Sequence, residues 1–230
     1  MKPTSIRLLN TVCTTNSHKG ECKASRLAPN FREMLTLEGQ TSPAISAKIY
    51  YPRIKKLSNG KYILLHQDYR LGGNIFYSLS DDCRHFSPRQ KLFGARPVLR
   101  DDGEEDKLMY ATADAAVLQN GDLLVVCSYR YNSGYALDAK YGGLVLKRSA
   151  DNGVTFSEEK QIYVGRNWEP SVLVLKSGEI QVYFSHTAPK FYLDKTVRTD
   201  SPIKTSSGTA IIRSYDGGET WNPQIDAPPY

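Results

Sequence analysis

The segment Ser214–Trp221 reads Ser-Tyr-Asp-Gly-Gly-Glu-Thr-Trp, and Ser149–Phe156 reads Ser-Ala-Asp-Asn-Gly-Val-Thr-Phe. Both follow the pattern Ser-x-Asp-x-Gly-x-Thr-aromatic. In such a turn the Asp carboxylate accepts hydrogen bonds from the amides ahead of it, and the Gly takes a positive φ. A third, degenerate copy spans Leu79–Phe86, where Leu79 replaces the Ser and Cys83 replaces the Gly. We call these segments the Asp turns, and their repetition predicts a structural repeat.

A hairpin signal precedes each Asp turn. The hairpin glycines are Gly60, Gly121 and Gly178, at intervals of 61 and 57 residues, and each separates two apolar segments. An Asn-Gly pair in this position, present in the first two copies, is the strongest short hairpin signal. A third strand then leads into the Asp turn and a fourth follows it. The unit is a four-stranded antiparallel meander, which is typical of a β-propeller blade.

These units predict an all-β protein, a β-propeller of four-stranded antiparallel blades, and the 15 Tyr residues favour the same class. We expect an irregular N-terminal lead-in over residues 1–45 and a partial propeller over 46–230. The predicted blades cover about 46–100, 107–165 and 166–230. Since propellers close with about four to eight blades, three blades indicate about half of a ring and a sequence that is a fragment.

Composition narrows the range of partners. The 230-residue chain carries a formal net charge of +6 but has no long Lys/Arg block and no aromatic-basic motif, so nucleic acid is not an expected partner. A cationic surface favours an anionic substrate, although a solvated basic surface explains the charge more simply. No apolar segment approaches the ~20 residues that span a bilayer. We expect no cofactor.

The four cysteines give no metal-binding pattern, because none forms a Cys-x-x-Cys pair. Cys127 lies in an apolar segment and is expected to be a small buried hydrophobe. Cys13 and Cys22 are close enough in sequence to pair if the protein is exported. No signal peptide is visible in residues 1–18. The chain is therefore either cytoplasmic or separated from its export signal.

Antiparallel topology predicts which residues share a face. The starts of the first strands and the loops between second and third strands lie on one side, here called the mouth face, while hairpins and Asp turns lie on the other. Polar residues held there by rigid strands are site candidates. First strands contribute Arg53, Asp114 and Glu169, and the second-strand ends with their following loops contribute Asp68, Arg70, Arg130 and His186.

Several of these candidates also have an ordinary structural role. Asp114 matches Arg53 in position, and an Asp–Arg clamp is a simpler role for it than orienting a sugar hydroxyl. Asp68 and Arg70 are near enough to pair locally. His186 has no second His or Cys nearby in sequence, so it does not indicate a metal site.

The Asp turns, one per four-stranded unit, resemble those of the sialidase-like superfamily of six-bladed propellers, over about residues 50–221. The resemblance implies that Asp151 and Asp216 are turn residues rather than catalysts. It also implies an oligosaccharide or polysaccharide substrate and a secreted or periplasmic protein, and it leaves the oligomeric state open.

Two branches of that superfamily are distinguished by particular residues. Arg53-Ile54 is similar to the sialidase carboxylate-binding Arg-Ile-Pro but lacks the Pro, and the short segment after Arg70 has no acid Asp. Trp168-Glu169-Pro170 is similar to the opening of a blade in propeller exo-arabinanases. That resemblance implies that Glu169 is one of two catalytic carboxylates, with its partner beyond Tyr230, and that Trp168 stacks on a sugar.

The leading hypothesis is an exo-acting glycoside hydrolase of plant or host glycans, nearer to the arabinanases than to true sialidases. Two alternatives stay open: an exo-sialidase, and a non-catalytic propeller that binds glycan or protein.

Overall fold

The computed structural model describes residues 49–186 and 208–222, and twelve strands fall in these ranges. The first four are β1 (Tyr50–Lys56), β2 (Tyr62–Gln67), β3 (Ile75–Ser80) and β4 (Gln90–Phe93). The next five are β5 (Arg96–Leu99), β6 (Glu105–Val117), β7 (Leu123–Tyr131), β8 (Gly142–Ser149) and β9 (Lys160–Val164). The last three are β10 (Asn167–Val174), β11 (Ile180–His186) and β12 (Gly208–Ser214). A short helix α1 (Gly134–Leu137) and a 3₁₀ helix (Ala139–Tyr141) connect β7 to β8.

The strands form three antiparallel sheets in chain order. The first sheet is β1-β2-β3-β4, the second is β5-β6-β7-β8-β9 and the third is β10-β11-β12. The predicted all-β class, the three hairpins and the antiparallel meanders are therefore confirmed. One element was not predicted: β5 pairs with the first four residues of the 13-residue β6, which adds a fifth strand to the second sheet. The number of blades in a complete ring stays a prediction.

Two apolar layers hold the three sheets together. One lies between the first and second sheets and includes Ile63, Leu65, Val125 and Cys127. The other lies between the second and third sheets. It includes Val182 and the β7 residues that alternate with Val125 and Cys127. Alternate residues of a strand point to opposite faces. Because both faces of β7 are covered, its sequence is continuously apolar from Leu123 to Cys127, and Cys127 is buried as predicted.

The Asp turns form the predicted hydrogen bonds. Asp151 Oδ1 accepts the amides of Val154 and Thr155 at 3.1 and 2.8 Å, and Oδ2 accepts Thr155 Oγ1 at 2.6 Å. Gly153 has a φ of 86°. Asp216 is bonded in the same way to Thr220.

The third Asp turn corrects the alignment made from sequence. Asp82, not Asp81, accepts the turn amides, those of Arg84 and His85, both at 2.8 Å. Ser80, not Leu79, supplies the Ser, since its hydroxyl lies 3.1 Å from Asp82 Oδ1. The turn is one residue shorter than the other two, which shifted the alignment. Cys83 does take the left-handed conformation, with a φ of 60°.

Each Asp turn lies beside a hairpin, as the topology predicts. Asn152, in the second Asp turn, accepts hydrogen bonds at its side-chain oxygen from Ser58 Oγ at 2.7 Å and from the Asn59 amide at 3.2 Å. These bonds join the turn of the second sheet to the hairpin of the first. The turn side of the molecule therefore carries contacts between sheets as well as within them.

Several predictions fall on other parts of the chain. The lead-in over 1–45 and the Cys13–Cys22 pairing lie outside the described residues, so the predicted domain limits stay predictions. No helix within residues 49–186 and 208–222 has the length and apolar character to cross a membrane.

Replacing Asp151 with Asn tests the Asp turn. Hydrogen bonds from Thr155, first from its side chain, lower the pKa of Asp151 to about 2, below the ~3.9 of an unfolded Asp. The stability it contributes is therefore complete above about pH 4 and lost as the pH falls towards 2. We expect Asp151→Asn to lower the urea midpoint at pH 7 and to flatten its decline between pH 4 and 2.

Asp81→Asn is the matched control, because Asp81 is exposed and only pairs with Lys61 at 2.9 Å. It should change the midpoint little at either pH, since exposed pairs contribute about 0–1 kcal/mol. If the urea midpoints of Asp151→Asn and of the unmodified protein fall in parallel between pH 4 and 2, the role assigned to the turn is wrong.

Candidate functional site

One strand of every sheet, β1, β6 or β10, carries a bulge at the same place. The pairing of β1 with β2 shifts register between Tyr50 and Arg53, and β6 and β10 show the same shift opposite β7 and β11. At each bulge one residue other than Gly has a left-handed φ: Tyr51 at 51°, Thr112 at 51° and Glu169 at 53°. Each of these residues precedes its hairpin glycine by nine positions. The three are structural equivalents.

The bulges show which of the predicted site residues occupy equivalent positions in the three sheets. Arg53 and Asp114 are equivalent, as the sequence indicated, but their counterpart in the third sheet is Ser171 rather than Glu169. The counterpart of Glu169 in the first sheet is Tyr51, which sequence reasoning missed. The nine-residue spacing to the glycine, together with the Pro that follows both Tyr51 and Glu169, is a signal that could have found it.

The backbone of Glu169 corrects a second expectation. A residue before Pro favours extended backbone, and the sequence predicted that conformation for Glu169. The bulge instead holds Glu169 in the left-handed region, which is uncommon for residues with a Cβ and unfavourable by roughly 1–2 kcal/mol. A bulge re-aims a side chain relative to its strand. Glu169 is exposed, so its carboxylate is open to solvent at this position.

A chain of buried polar side chains crosses the three sheets beneath the bulges. Gln67 Oε1, at the end of β2, accepts the Thr112 amide at 2.7 Å. Thr112 Oγ1 lies 3.4 Å from Ser128 Oγ, which donates to Asn167 Oδ1 at 2.7 Å. All four residues are buried. Buried polar groups need such partners, and this chain fixes the bulges of the second and third sheets relative to the first.

Asp114 is a structural residue rather than a member of the mouth. Its side chain is 3% exposed, and Oδ2 accepts the Val172 amide of β10 at 2.9 Å. Oδ1 has no well-directed hydrogen bond, but it lies 3.0 Å from Lys55 Nζ of β1. The predicted Asp–Arg clamp is wrong, because the cation is Lys55. The prediction also placed Asp114 at a strand start, whereas it lies far inside β6, which extends beyond the bulge.

Asp68 and Arg70 do not pair with each other in the structure. Asp68 accepts the Asn74 amide at 3.0 Å and Asn74 Nδ2 at 2.7 Å, which closes the loop between β2 and β3. Arg70 is exposed in that loop. Gly73 then pairs with Tyr110 of β6 through backbone bonds of 2.8 and 2.9 Å. The loop is therefore short and fastened to the second sheet.

Arg130 and Trp168 are brought together. The Arg130 guanidinium carbon lies 4.6 Å from the centre of the Trp168 ring and 5.8 Å from that of Tyr135. Tyr135 meets Trp168 edge-on, with ring centres 5.8 Å apart. Burial lowers the pKa of Arg130. Sequence alone could not identify this cluster, because α1 and β10 supply rings that are far apart in the chain.

Arg166 fixes the loop that supplies Tyr135. Its side chain is buried, and its guanidinium donates to the carbonyl oxygens of Tyr135 at 2.9 Å and Ala136 at 3.1 Å. A buried cation on backbone carbonyls holds α1 against the start of β10. Arg166 therefore fixes the position of Tyr135 in the aromatic cluster.

The remaining predicted residues are placed only in part. Arg53 is exposed, and its guanidinium donates to the Pro52 carbonyl at 3.2 Å. His186 ends β11 opposite Asn167, and its side chain lies outside the described residues. The part of the chain that the structure describes holds no group of three or more His, Cys, Asp or Glu arranged to bind a metal.

Two open grooves, of about 440 and 410 Å³, lie on the side of the hairpins and Asp turns. Their charged groups are engaged: Asp81 pairs with Lys61 at 2.9 Å, and Arg148 pairs with Asp122 at 2.7 Å. The mouth face, by contrast, presents an exposed carboxylate and a cation stacked on aromatic rings. It is the better candidate site.

No protein-family model matches the chain, and no curated protein matches it in sequence. Solved structures do match. The Hadza microbial sialidase Hz136 aligns with a TM-score of 0.55 at 15% identity, covering 75% of this chain and 36% of the sialidase. The structure described as NanB plus Optactamide aligns with a TM-score of 0.58 at 10% identity, covering 80% and 44%. A PL25 ulvan lyase aligns with a TM-score of 0.53 at 17% identity, covering 78% and 44%.

The chain spans less than half the length of each of these structures. At such identities the likeness shows the fold and no activity. It supports the predicted sialidase-like β-propeller architecture.

Asp114→Ala tests whether this carboxylate is structural. The substitution leaves the buried Val172 amide without an acceptor and removes the anion beside Lys55. We expect a loss of about 3 kcal/mol in the free energy of unfolding, measured by urea denaturation at pH 7.

Ser171→Ala is the matched control. Ser171 is exposed, and its hydroxyl contacts Asp114 Oδ2 at 3.5 Å, a long and weak hydrogen bond. It should change stability by less than about 0.5 kcal/mol. If Asp114→Ala unfolds like the unmodified protein, Asp114 is free for another role.

Proposed function

We propose that the protein is a glycoside hydrolase of the sialidase-like propeller fold and that Glu169 is one of its two catalytic carboxylates. The observation that carries the proposal is the position of Glu169. It is exposed, held in a left-handed conformation by the bulge, and adjacent to a ring stacked with Arg130. Tyr51 and Thr112 share the bulge, so what distinguishes Glu169 is the exposed carboxylate that it places next to Trp168.

The chemistry requires a second carboxylate. One carboxyl protonates the leaving oxygen while the other attacks the sugar or activates water, and their separation of roughly 5 or 6.5–9.5 Å decides retention or inversion. Neither Asp68 nor Asp114 suits this role, because Asn74 holds the first and Lys55 with Val172 holds the second. We therefore propose that the partner of Glu169 lies outside the described residues.

The loop after β2 supports a mechanism other than that of true sialidases. The sequence lacks an acid Asp there, and Asp68 is bonded to Asn74 while Gly73 pairs with β6. We keep arabinan as the proposed substrate for an exo-acting enzyme. One expectation changes: Arg130 covers a face of Trp168, so a sugar can stack only on the face that Arg130 leaves free.

A non-catalytic glycan-binding propeller is the second candidate. The observation that favours it is the same engagement of Asp68 and Asp114, which removes two of the three carboxylates predicted at the mouth. Such a protein would bind glycans without turning them over.

Replacing Glu169 with Gln tests the catalytic proposal. Loss of a general acid or base lowers turnover by about 10²–10⁴-fold, so we expect kcat/KM on arabino-oligosaccharides or aryl glycosides to fall by that factor. Rates on arabinosides and on sialosides, measured side by side, separate the two enzyme candidates.

Glu158→Gln serves as the control, since Glu158 is exposed and follows an Asp turn. It should retain full turnover. Unchanged hydrolysis by Glu169→Gln would end the proposal, and binding without turnover by the unmodified protein would favour the glycan-binding module.

A further inference from the structure

The two grooves on the side of the hairpins and Asp turns occupy equivalent places in the repeat. Residues of the first and second sheets line one of them, including Asn59 and Asn152. Residues of the second and third sheets line the other, including Asn120 and Gly217. Asn120 matches Asn59 in its hairpin, and Gly217 stands in its Asp turn where Asn152 stands in the preceding one. We call the second of these grooves the Gly217 groove.

The change from Asn152 to Gly217 leaves a backbone donor without an acceptor. In the first groove the Asn59 amide donates to Asn152 Oδ1 at 3.2 Å. Gly217 has no side chain to offer the equivalent amide of Asn120, which forms no hydrogen bond within the described part of the chain. A ligand oxygen in the Gly217 groove can therefore take the place of the missing side-chain oxygen.

An exposed aromatic ring forms a wall of the same groove. Tyr215 lines it and is 71% exposed, more than any other large hydrophobic side chain of the described residues. The equivalent residue of the preceding Asp turn is Ala150, which has no ring. A tyrosine that is apolar on its face and borders hydrogen-bonding groups suits a ligand with both characters, such as a sugar, whose C–H groups stack on the ring while its oxygens take the donors.

The charged groups along the groove are satisfied within the protein. Arg148 donates through Nε to Asp122 at 2.7 Å and through Nη1 to Glu219 at 3.0 Å. Asp216 accepts the Thr220 amide at 2.9 Å. A charged ligand would have to compete with these pairs. The groove therefore favours a neutral ligand.

We propose that the Gly217 groove is a second carbohydrate-binding site, on the opposite side of the sheets from the mouth face, that takes a neutral glycan chain. Tyr215 stacks on one sugar ring, and the Asn120 amide donates to a sugar oxygen. The groove volume of about 410 Å³ lies within the roughly 300–1,000 Å³ of small-molecule sites. The site goes beyond the proposed catalytic role of Glu169, because it holds a glycan whether or not the protein cleaves it.

The test is binding of neutral tetrasaccharides to the Glu169→Gln protein, in which turnover does not interfere. Arabino-, xylo-, galacto- and gluco-oligosaccharides are titrated by calorimetry, and hydrogen exchange read by mass spectrometry locates the bound sugar. We expect at least one of them to bind and to slow exchange around Asn120 and Tyr215. Its affinity should change little between about 0.05 and 0.5 M NaCl, because a neutral ligand forms no ion pair that salt can screen.

Two variants impair the site in different ways. Tyr215→Ala removes the stacking ring and should weaken binding about tenfold. Gly217→Asn restores the residue of the preceding Asp turn, whose oxygen then occupies the Asn120 amide, and it should weaken binding by a similar factor. This variant should fold, because Asn152 holds the same left-handed conformation with a φ of 59° and a Cβ at Gly217 would meet no atom closer than 3.9 Å.

Val154→Ala is the matched control, because Val154 is 66% exposed and lines the first groove. It should bind with unchanged affinity. Full affinity in both Tyr215→Ala and Gly217→Asn, or slowed exchange confined to the mouth, would overturn the inference while leaving the hydrolase proposal intact.

Two further outcomes separate the groove from the catalytic proposal. Tyr215-dependent binding of a glycan that the unmodified protein never cleaves would sustain the inference and overturn the hydrolase proposal. Failure of every neutral tetrasaccharide to bind, or binding of charged glycans alone, would overturn the assignment of the Gly217 groove.

Discussion

The carboxylate of Asp114 joins all three described sheets. It lies on β6 of the second sheet, 3.0 Å from Lys55 of the first, and accepts the Val172 amide of the third. A buried charge is tolerated only when it is paired and hydrogen-bonded. Strands β1, β6 and β10 must therefore approach one another in a single register. That register sets the relative positions of the bulges and, through them, of the exposed Glu169.

The candidate site follows from this constraint. Each bulge forces one residue into a left-handed conformation, and the buried polar chain from Gln67 to Asn167 ties the bulges together. The three residues so placed are chemically different: Tyr51 is exposed, Thr112 is buried in the polar chain, and Glu169 is an exposed carboxylic acid. The fold thus repeats a backbone position, and the sequence decides what chemistry each repeat presents.

Sequence reasoning succeeded where the determining chemistry is local. Hairpin glycines and Asp turns were predicted because their hydrogen bonds join residues a few positions apart. It failed where the position of a side chain depends on partners that are far away in the sequence. Asp114 was assigned to the mouth because its two partners, Lys55 and Val172, are nearly sixty positions away in either direction. The Arg130–Trp168 contact was missed for the same reason, and the conformation of Glu169 depends on cross-strand register, which overrides the local preference imposed by Pro170.

Strand β7 has a consequence for how the molecule opens. Its alternate residues serve different apolar layers: Val125 and Cys127 pack towards the first sheet, whereas Leu124 and Val126 pack towards the third. Detaching either outer sheet bares one face of this strand, while its amides stay hydrogen-bonded to β6 and β8 within the second sheet. Hydrogen exchange along β7 therefore reports global unfolding, while the outer sheets can exchange through smaller, local fluctuations. We therefore expect the middle strand of the second sheet to be the slowest-exchanging part of the three sheets.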